Sequence, residues 1–348
     1  MSLSHQKTAK NSSVVYPKVT AVDVLRLFWR SARKWWWAAA LVFSGIIFNG
    51  LAEIITPLYY RDFFNLLSSG KDKLMLTEQL ITVLFWILAF NFLSWVGWRL
   101  ATFLGTIFQI RTMADLRNQA FEYLIDHSYS FFANNFTGSL TQRVNRYARA
   151  FERLADRLTY NIFPLIIRVI GVLIVLFYTN QTIASMMAVW LVFFITLNYL
   201  LAKWKLKYDI EGAAADSKIT ATLSDAITNH NAIQLFSAQK KETTTFRLVN
   251  QEWTKITSFR WNVDSVIEMI QAGLFVVLEF FLFYFAIHYW QQGMLSLGAF
   301  VLIQSYFISL GGQLWGIGRV IRDIYESFAD AKEMAEIIKL EHEIKDVP

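Results

Sequence analysis

Six apolar stretches, each long enough to cross a bilayer, dominate the chain: about 35–60, 79–110, 162–178, 183–202, 266–287 and 295–316. A hydrocarbon core of about 30 Å is crossed by roughly 20 residues of helix. Inside it the chain must satisfy its own backbone hydrogen bonds. With only four Pro and 15 Gly among 348 residues, long uninterrupted helices are allowed almost everywhere. The expected fold class is an all-α membrane protein with six transmembrane helices, and its first partner is the lipid bilayer. The sixth stretch, LSLGAFVLIQSYFISLGGQLWGIG, is rich in Gly, Ser and Gln, which suits a helix facing other helices or water better than one facing lipid.

Composition narrows the function classes. Hydrophobic residues make up 55% of the chain and charged ones 17%, with a mean hydropathy of +0.35, too apolar for a soluble domain of this length. With no Cys there is no disulfide, zinc ribbon or iron–sulfur cluster, and the five His (5, 127, 230, 288, 342) lie far apart. Metal, thiol and cofactor chemistry are not expected within this chain. The net charge of +6 follows topology and not nucleic acid. Seven basic residues lie in the first 34 positions, seven in 111–160, nine in 203–260 and five after 318, against three in 61–75 and none in 179–182 or 288–294. By the positive-inside rule both termini and the charge-rich segments are cytoplasmic. The first apolar run is a full span preceded by 34 residues, which reads as an anchor and not a cleavable signal. Before it, Val22, Leu25, Phe28 and Trp29 are expected on one helical face and Asp23, Arg26, Arg30 and Arg33 on another, followed by Trp35, Trp36 and Trp37. Residues 20–34 are thus expected as an interfacial helix after a flexible tail over 1–19.

Two connections of about 50 residues lack Gly/Pro clusters, so each needs structure of its own. Met113, Leu116, Ala120 and Leu124 keep helical spacing to about His127, a break falls at Asn134, Asn135 and Gly138, and a helical pattern returns toward the third span. A second pair runs down through 203–236 and back up through 246–266. Two charged hairpins that end at similar distances from the membrane suggest a partner surface; hairpins packed only on themselves are the alternative.

Six spans, an interfacial helix and two cytoplasmic hairpins resemble the transmembrane domain of ATP-binding cassette (ABC) exporters of the multidrug type, the type I exporter fold. The run SFFANNFTGSLTQRVNRYARAFERL (130–154) is similar to the first coupling region of that family, with Phe131, Phe132, Thr137, Gly138, Arg143, Val144 and Asn145 in register. Arg146 stands where an acidic residue is common. NHNAIQLFSAQKKETTTF (229–246) resembles the run after the second coupling helix through Ile233, Phe236, Glu242 and Phe246, with Gln234 and Gln239 as departures. FADAKEMAEIIKLEHEIKDVP resembles the passage toward the nucleotide-binding domain. The resemblance implies a transmembrane domain over 35–330 and a linker over 331–348 toward an absent nucleotide-binding domain. It implies coupling bends near 138–150 and 218–231, formed by Asn145 to Phe151 and Lys218 to His230. Contacts to the ATPase domain would fall on Asn145, Arg146, Tyr147, Phe151, Thr222, Ser224, Asp225 and Thr228. It also implies a second transmembrane half, identical or related, and a nucleotide-binding domain in cis or trans that carries ATP and Mg²⁺. The cargo would be hydrophobic or amphipathic, and the setting a bacterial plasma (inner) membrane.

No G-x-x-x-x-G-K-[ST] phosphate loop occurs in the sequence, and Gly70-Lys71-Asp72 reads as an external turn. Ser309-Leu310-Gly311-Gly312-Gln313 mimics an ABC signature but lies inside an apolar stretch, where helix packing explains it. The chain by itself is therefore not expected to be an enzyme. Polar residues within spans are functional candidates. Asp264, Glu268, Gln271 and Glu279 share a face of the fifth span, with Gln304, Ser305, Ser309 and Gln313 in the sixth and Asn49 and Glu53 in the first. They would line a substrate pathway whose acidic walls favour cations, or Glu53, Glu268 or Glu279 would pair with Arg99 or Arg168 and fix packing. Pro57 and Pro164 mark kinks or tolerated bends. Competing functions are an orphan membrane scaffold or regulator with the exporter shape, a polytopic enzyme, for which no constellation occurs, and a passive channel, for which no filter-like loop occurs.

Overall fold

The computed structural model describes residues 16–70 and 72–343. Most of the tail expected over 1–19, Lys71 of the external turn, and residues 344–348 of the expected linker lie outside the described residues. The described chain is helical throughout: α1 (Ala21–Ala32), α2 (Trp36–Leu67), α3 (Lys73–Ile125), α4 (Tyr129–Asn134), α5 (Thr137–Asp156), α6 (Phe163–Thr179), α7 (Gln181–Thr228), α8 (His230–Leu235), α9 (Gln239–Gln291), α10 (Leu297–Leu314) and α11 (Ile317–Ile338). Among the described residues six helical stretches are long and apolar enough to cross a membrane. With 53, 48 and 53 residues, α3, α7 and α9 extend roughly 70–80 Å at 1.5 Å per residue. That is more than twice the hydrocarbon thickness, so each must project well beyond it.

Thr20 starts α1 through a capping box. Its hydroxyl accepts from Asp23 N–H, and the Asp23 carboxylate accepts from Thr20 N–H at 2.9 Å. The apolar residues of α1 do not form the single face expected from the sequence. Val24 and Phe28 are 1% and 3% exposed and pack into protein, while Val22 and Trp29 are 64% and 66% exposed. Phe28 therefore belongs to the core, while Val22, Leu25 and Trp29 stay exposed.

Between α5 and α6 the segment Arg157–Ile162 is π-helical, with Phe163 N–H donating to Leu158 O five residues back. Pro164 follows immediately. A proline removes one amide donor and crowds the carbonyl four residues earlier, and a widened turn accommodates both. Pro57, by contrast, lies within the continuous helix α2.

The chain divides into two compact units. The first comprises Met1–Tyr59, Thr77–Ile170 and Gln313–Pro348. In its membrane part α2 and α3 touch backbone to backbone: a Cβ on Gly45 would lie 2.6 Å from Gly97 O, and one on Gly97 would lie 2.8 Å from Gly45 O. Small residues permit this approach. Beyond it, Val24, Phe28, Leu116, Ala120, Phe131, Tyr147, Phe151 and Met334 form one buried cluster contributed by α1, α3, α4, α5 and α11. Residues 331–338, expected as part of a linker, are instead the last turns of α11, with Ala331, Met334, Ala335 and Ile337 buried. Their apolar spacing at three and four residues gives α11 a core-facing side.

The second unit comprises Tyr60–Leu76 and Gly171–Gly312. Its spans pack through Phe194, Leu278, Leu282 and Leu302. Gly298 N–H donates to Asn65 Oδ1 at 2.8 Å, and a Cβ at 298 would fall 2.0 Å from Arg61 O, so only glycine fits. Outside the spans, α7 and α9 pair with little cover: Lys205, Gly212, Ala215, Thr257 and Val263 are the buried residues of that stretch.

Candidate coupling tips and membrane pathway

The structure relocates both hairpin tips. Residues 138–150, expected as the first bend, lie inside the 20-residue helix α5. The chain reverses before it, around the six-residue α4, whose Ser128 hydroxyl accepts from Phe131 N–H. Within 218–231 the long helix α7 continues to Thr228, and the reversal is α8 with Ser237 in the left-handed region at φ 51°. Each tip is thus a short helix set between two long ones.

The expected coupling residues divide accordingly. Tyr147 and Phe151 are buried, Phe28 lying 5.3 Å from each ring centroid, so neither is available to a partner. Burial pushes the Tyr147 phenol well above its ordinary value. Asn145 is exposed on α5. Arg146, the departure from the family pattern, pairs with Glu333 and lies 3.8 Å from Asp330. Arg143, Arg153 and Arg157 extend the same seam to Glu333, Asp330 and Asp323 respectively. An acidic residue at 146 would face the carboxylates of α11. On α7, Ser224, Asp225 and Thr228 are exposed and Thr222 is half-buried; Asp225 accepts from Asn229 Nδ2 at 2.9 Å. The tips themselves present Tyr129 and Phe136 on the first hairpin, 88% and 80% exposed, and Leu235 and Phe236 on the second, 81% and 82%. Tyr129, Phe136 and Leu235 carry no motif of their own in the sequence. The chain turns at the break expected from Asn134 and Asn135, between α4 and α5, whereas Gly138 lies inside α5.

The C-terminal end of α11 is fastened in the first unit. Tyr123 donates to Leu340 O at 2.6 Å, His127 Nδ1 lies 3.2 Å from Glu343 Oε2, and His127 stacks on Phe131 at 4.2 Å. Burial alone would raise the Glu343 carboxyl. Hydrogen bonds from its own backbone, from Ser128 N–H and from His127 outweigh this and hold it below the ordinary value. Lys339 reaches back to Asp23 at 2.7 Å. That hydrogen bond, with those from Thr20, holds the Asp23 carboxyl far below the usual range.

Most of the expected pathway residues are engaged by protein. Glu53 pairs with Arg168 and not with Arg99. Buried Asn49 donates to Ser94 Oγ at 2.8 Å and to Ser94 O at 3.3 Å. Gln304 donates to Glu279 Oε1 at 2.9 Å, Gln271 donates to Asn198, and Ser305 donates to Val301 O at 2.8 Å. Ser309 lies in α10 one turn beyond Ser305, and neighbouring Gly311 packs on Phe275, where a Cβ would be 3.3 Å from the ring. Glu268 is exposed and has no hydrogen bond or ion pair among the described residues. Asp264 pairs with Lys205, which also lies 3.3 Å from Asp209. Lys205 is a buried cation that hydropathy reading missed, because it sits just past the apolar run of the fourth span.

The model of the ABC transporter transmembrane region matches residues 39–314. Over 307 residues the chain is 23% identical to ATP-binding cassette sub-family B member 6 of Rattus norvegicus, covering 85% of this chain and 36% of that protein. It is 22% identical to the mitochondrial iron-sulfur clusters transporter atm1 of Neurospora crassa (68% and 33% covered) and 23% identical to the ATM1-type heavy metal exporter of Novosphingobium aromaticivorans (67% and 38% covered). The chain thus spans about a third of the length of these relatives. The structure of a bacterial Atm1-family ABC exporter with ATP bound superposes with a TM-score of 0.68 at 18% identity, covering 87% of this chain and 53% of that one. With six spanning helices, two long hairpins and a family match over most of its length, this chain belongs to the ABC transporter transmembrane regions, and its fold is that of an ABC exporter.

Proposed function

We propose that the chain is the membrane-spanning half-pathway of an ATP-driven exporter that works with a second transmembrane half and with ATPase domains supplied in cis or in trans. The observation that carries this reading is the pair of short helices α4 and α8, each presenting exposed aromatic or aliphatic side chains at the end of a long helical hairpin. Such residues in water, far from lipid, need a protein to cover them. Docking on an ATPase domain therefore falls to Tyr129 and Phe136 on one tip and Leu235 and Phe236 on the other, with Asn145, Ser224, Asp225 and Thr228 as flanking contacts. ATP and Mg²⁺ belong to that domain. Basic residues on the hairpin side favour cytoplasmic termini, and the setting we propose is a bacterial inner membrane.

The cargo we propose is hydrophobic or amphipathic, because the polar groups of the spans largely satisfy one another. Glu268 is the acidic residue best placed to meet a cation. The relatives named for iron–sulfur clusters and heavy metals favour a second reading, a metal-containing cargo. With no Cys in the chain, a soft metal would travel as a complex and not on protein thiolates.

The test uses the polypeptide as its cell makes it, together with whatever chains co-purify, reconstituted in vesicles. ATP hydrolysis that accompanies the chain and falls at least tenfold in Phe236→Asp supports the exporter. No associated hydrolysis, at native mass and with every bound chain retained, leaves the orphan scaffold.

A further inference from the structure

A cleft of about 360 Å³ opens in the first unit between α1, the start of α2, the middle of α3 and the junction of α5 with the π-helical turn. Trp29, Ala39, Phe43, Phe108, Ala155 and Leu158 are among its walls. The volume falls within the range of roughly 300–1,000 Å³ typical of small-molecule sites. A side chain on Gly105 would come within 2.1 Å of the Tyr160 hydroxyl, so glycine at 105 keeps Tyr160 in place along the cleft.

The polar groups of the cleft are uneven in their engagement. Gln109 donates to Asp156 at 2.6 Å, and Tyr160 donates to Ala101 O at 3.2 Å. Of the neighbouring cations, Lys34 lies 3.6 Å from Asp115 and Arg111 sits over Trp35 at 5.6 Å. Arg33 lines the cleft and is exposed, and its guanidinium has no hydrogen-bond or ion-pair partner among the described residues. Two carboxylates beside the cleft are engaged, Asp115 by Lys34 and Trp35 and Asp156 by Gln109. An apolar slot with one uncommitted guanidinium at its edge complements a ligand with an apolar tail and an anionic head.

Its position selects the source of that ligand. On α1, Val22, Leu25 and Trp29 are exposed, and Trp36 and Trp37 follow at the start of the first span. Such a helix lies at headgroup level, where a phospholipid offers both an apolar tail and an anionic head. We propose that this cleft binds one acyl chain of an anionic phospholipid, with the headgroup phosphate on Arg33. The bound lipid would join the interfacial helix to α2 and α3. This inference rests on membrane insertion and is independent of ATPase coupling.

Native mass spectrometry of the full-length protein, equilibrated in nanodiscs with equal phosphatidylglycerol and phosphatidylcholine, tests it. The wild type should retain one phosphatidylglycerol in preference to phosphatidylcholine by about fivefold, what a basic residue near an anionic surface is worth. Arg33→Gln should erase the preference. Arg26→Gln, on α1 but outside the cleft, should keep it. Ala155→Phe fills the slot and should remove the retained lipid of either kind, and Ala39→Phe replaces it if circular dichroism shows that the first variant does not fold. Equal retention of the two lipids by the wild type, equal loss from Arg26→Gln and Arg33→Gln, retention in the filled cleft, or a retained mass that matches no phospholipid overturns the proposal.

Discussion

The first hairpin closes on a core to which α1 and α11 contribute, with Phe28, Phe131, Tyr147, Phe151 and Met334 all buried. In the second, α7 and α9 meet along a thin seam, and Leu223, Ile227, Leu248 and Phe259 are left exposed. The two are built from helices of comparable length. What differs is the number of layers, since a helix can bury its apolar side only against another element. The first hairpin has its covering layers within the chain, while the second leaves an apolar side uncovered. The first hairpin is therefore held by its own core, while both hairpins present uncovered tips.

Substitutions can break that contrast. Tyr147→Ala should cost about 3–5 kcal/mol, the usual range for a large aromatic removed from a core, and thermal unfolding in detergent should report it. A loss below 1 kcal/mol would mean that the first hairpin is no better packed than the second. Lys205→Ala should follow at about 1–3 kcal/mol. It leaves Asp264 and Asp209 facing each other without their shared cation, although the exposure of Asp264 lets solvent offset part of this. Acidification comes next. The folded-state pKa of Asp23 is depressed, so its contribution is whole above the ordinary carboxylate value near 4 and is lost as pH falls toward the folded value. A melting curve in moderate acid should show a small loss that Asp23→Asn already has at neutral pH. Phe236→Ala should change stability least, within about 0.5 kcal/mol. Cross-linking from Phe236→Cys, clean in a chain without cysteine, should nonetheless capture a partner.

Span number, the long extensions and a short helix ahead of the first span were legible because each rests on composition and period, and these survive without tertiary context. The tips were not. A helical pattern runs unbroken through Thr137–Asp156, so nothing local separated a coupling segment from a core helix, and Tyr147 and Phe151 read equally well as docking or packing residues until α1 and α11 covered them. Arg146 was legible as a departure, but its meaning lies in Asp330 and Glu333, more than 180 residues away. The polar stripe of the fifth span was legible as a face. Which of its members are engaged depends on Lys205, Asn198 and Gln304, whose positions no helical wheel supplies.

The helices α3, α7 and α9 contain no proline; all four prolines of the chain lie at 17, 57, 164 and 348. A rod of about 80 Å without a kink-forming residue behaves as a lever: pivoting by about 5° at its midpoint carries each end by roughly 3–4 Å in opposite senses. A shift of that size at a tip, comparable to the width of one side chain, would reappear at the far face of the bilayer without any helix bending. In such a molecule the information passed between the two ends is a tilt angle, and its fidelity is set by the stiffness of backbone hydrogen bonding along the rod.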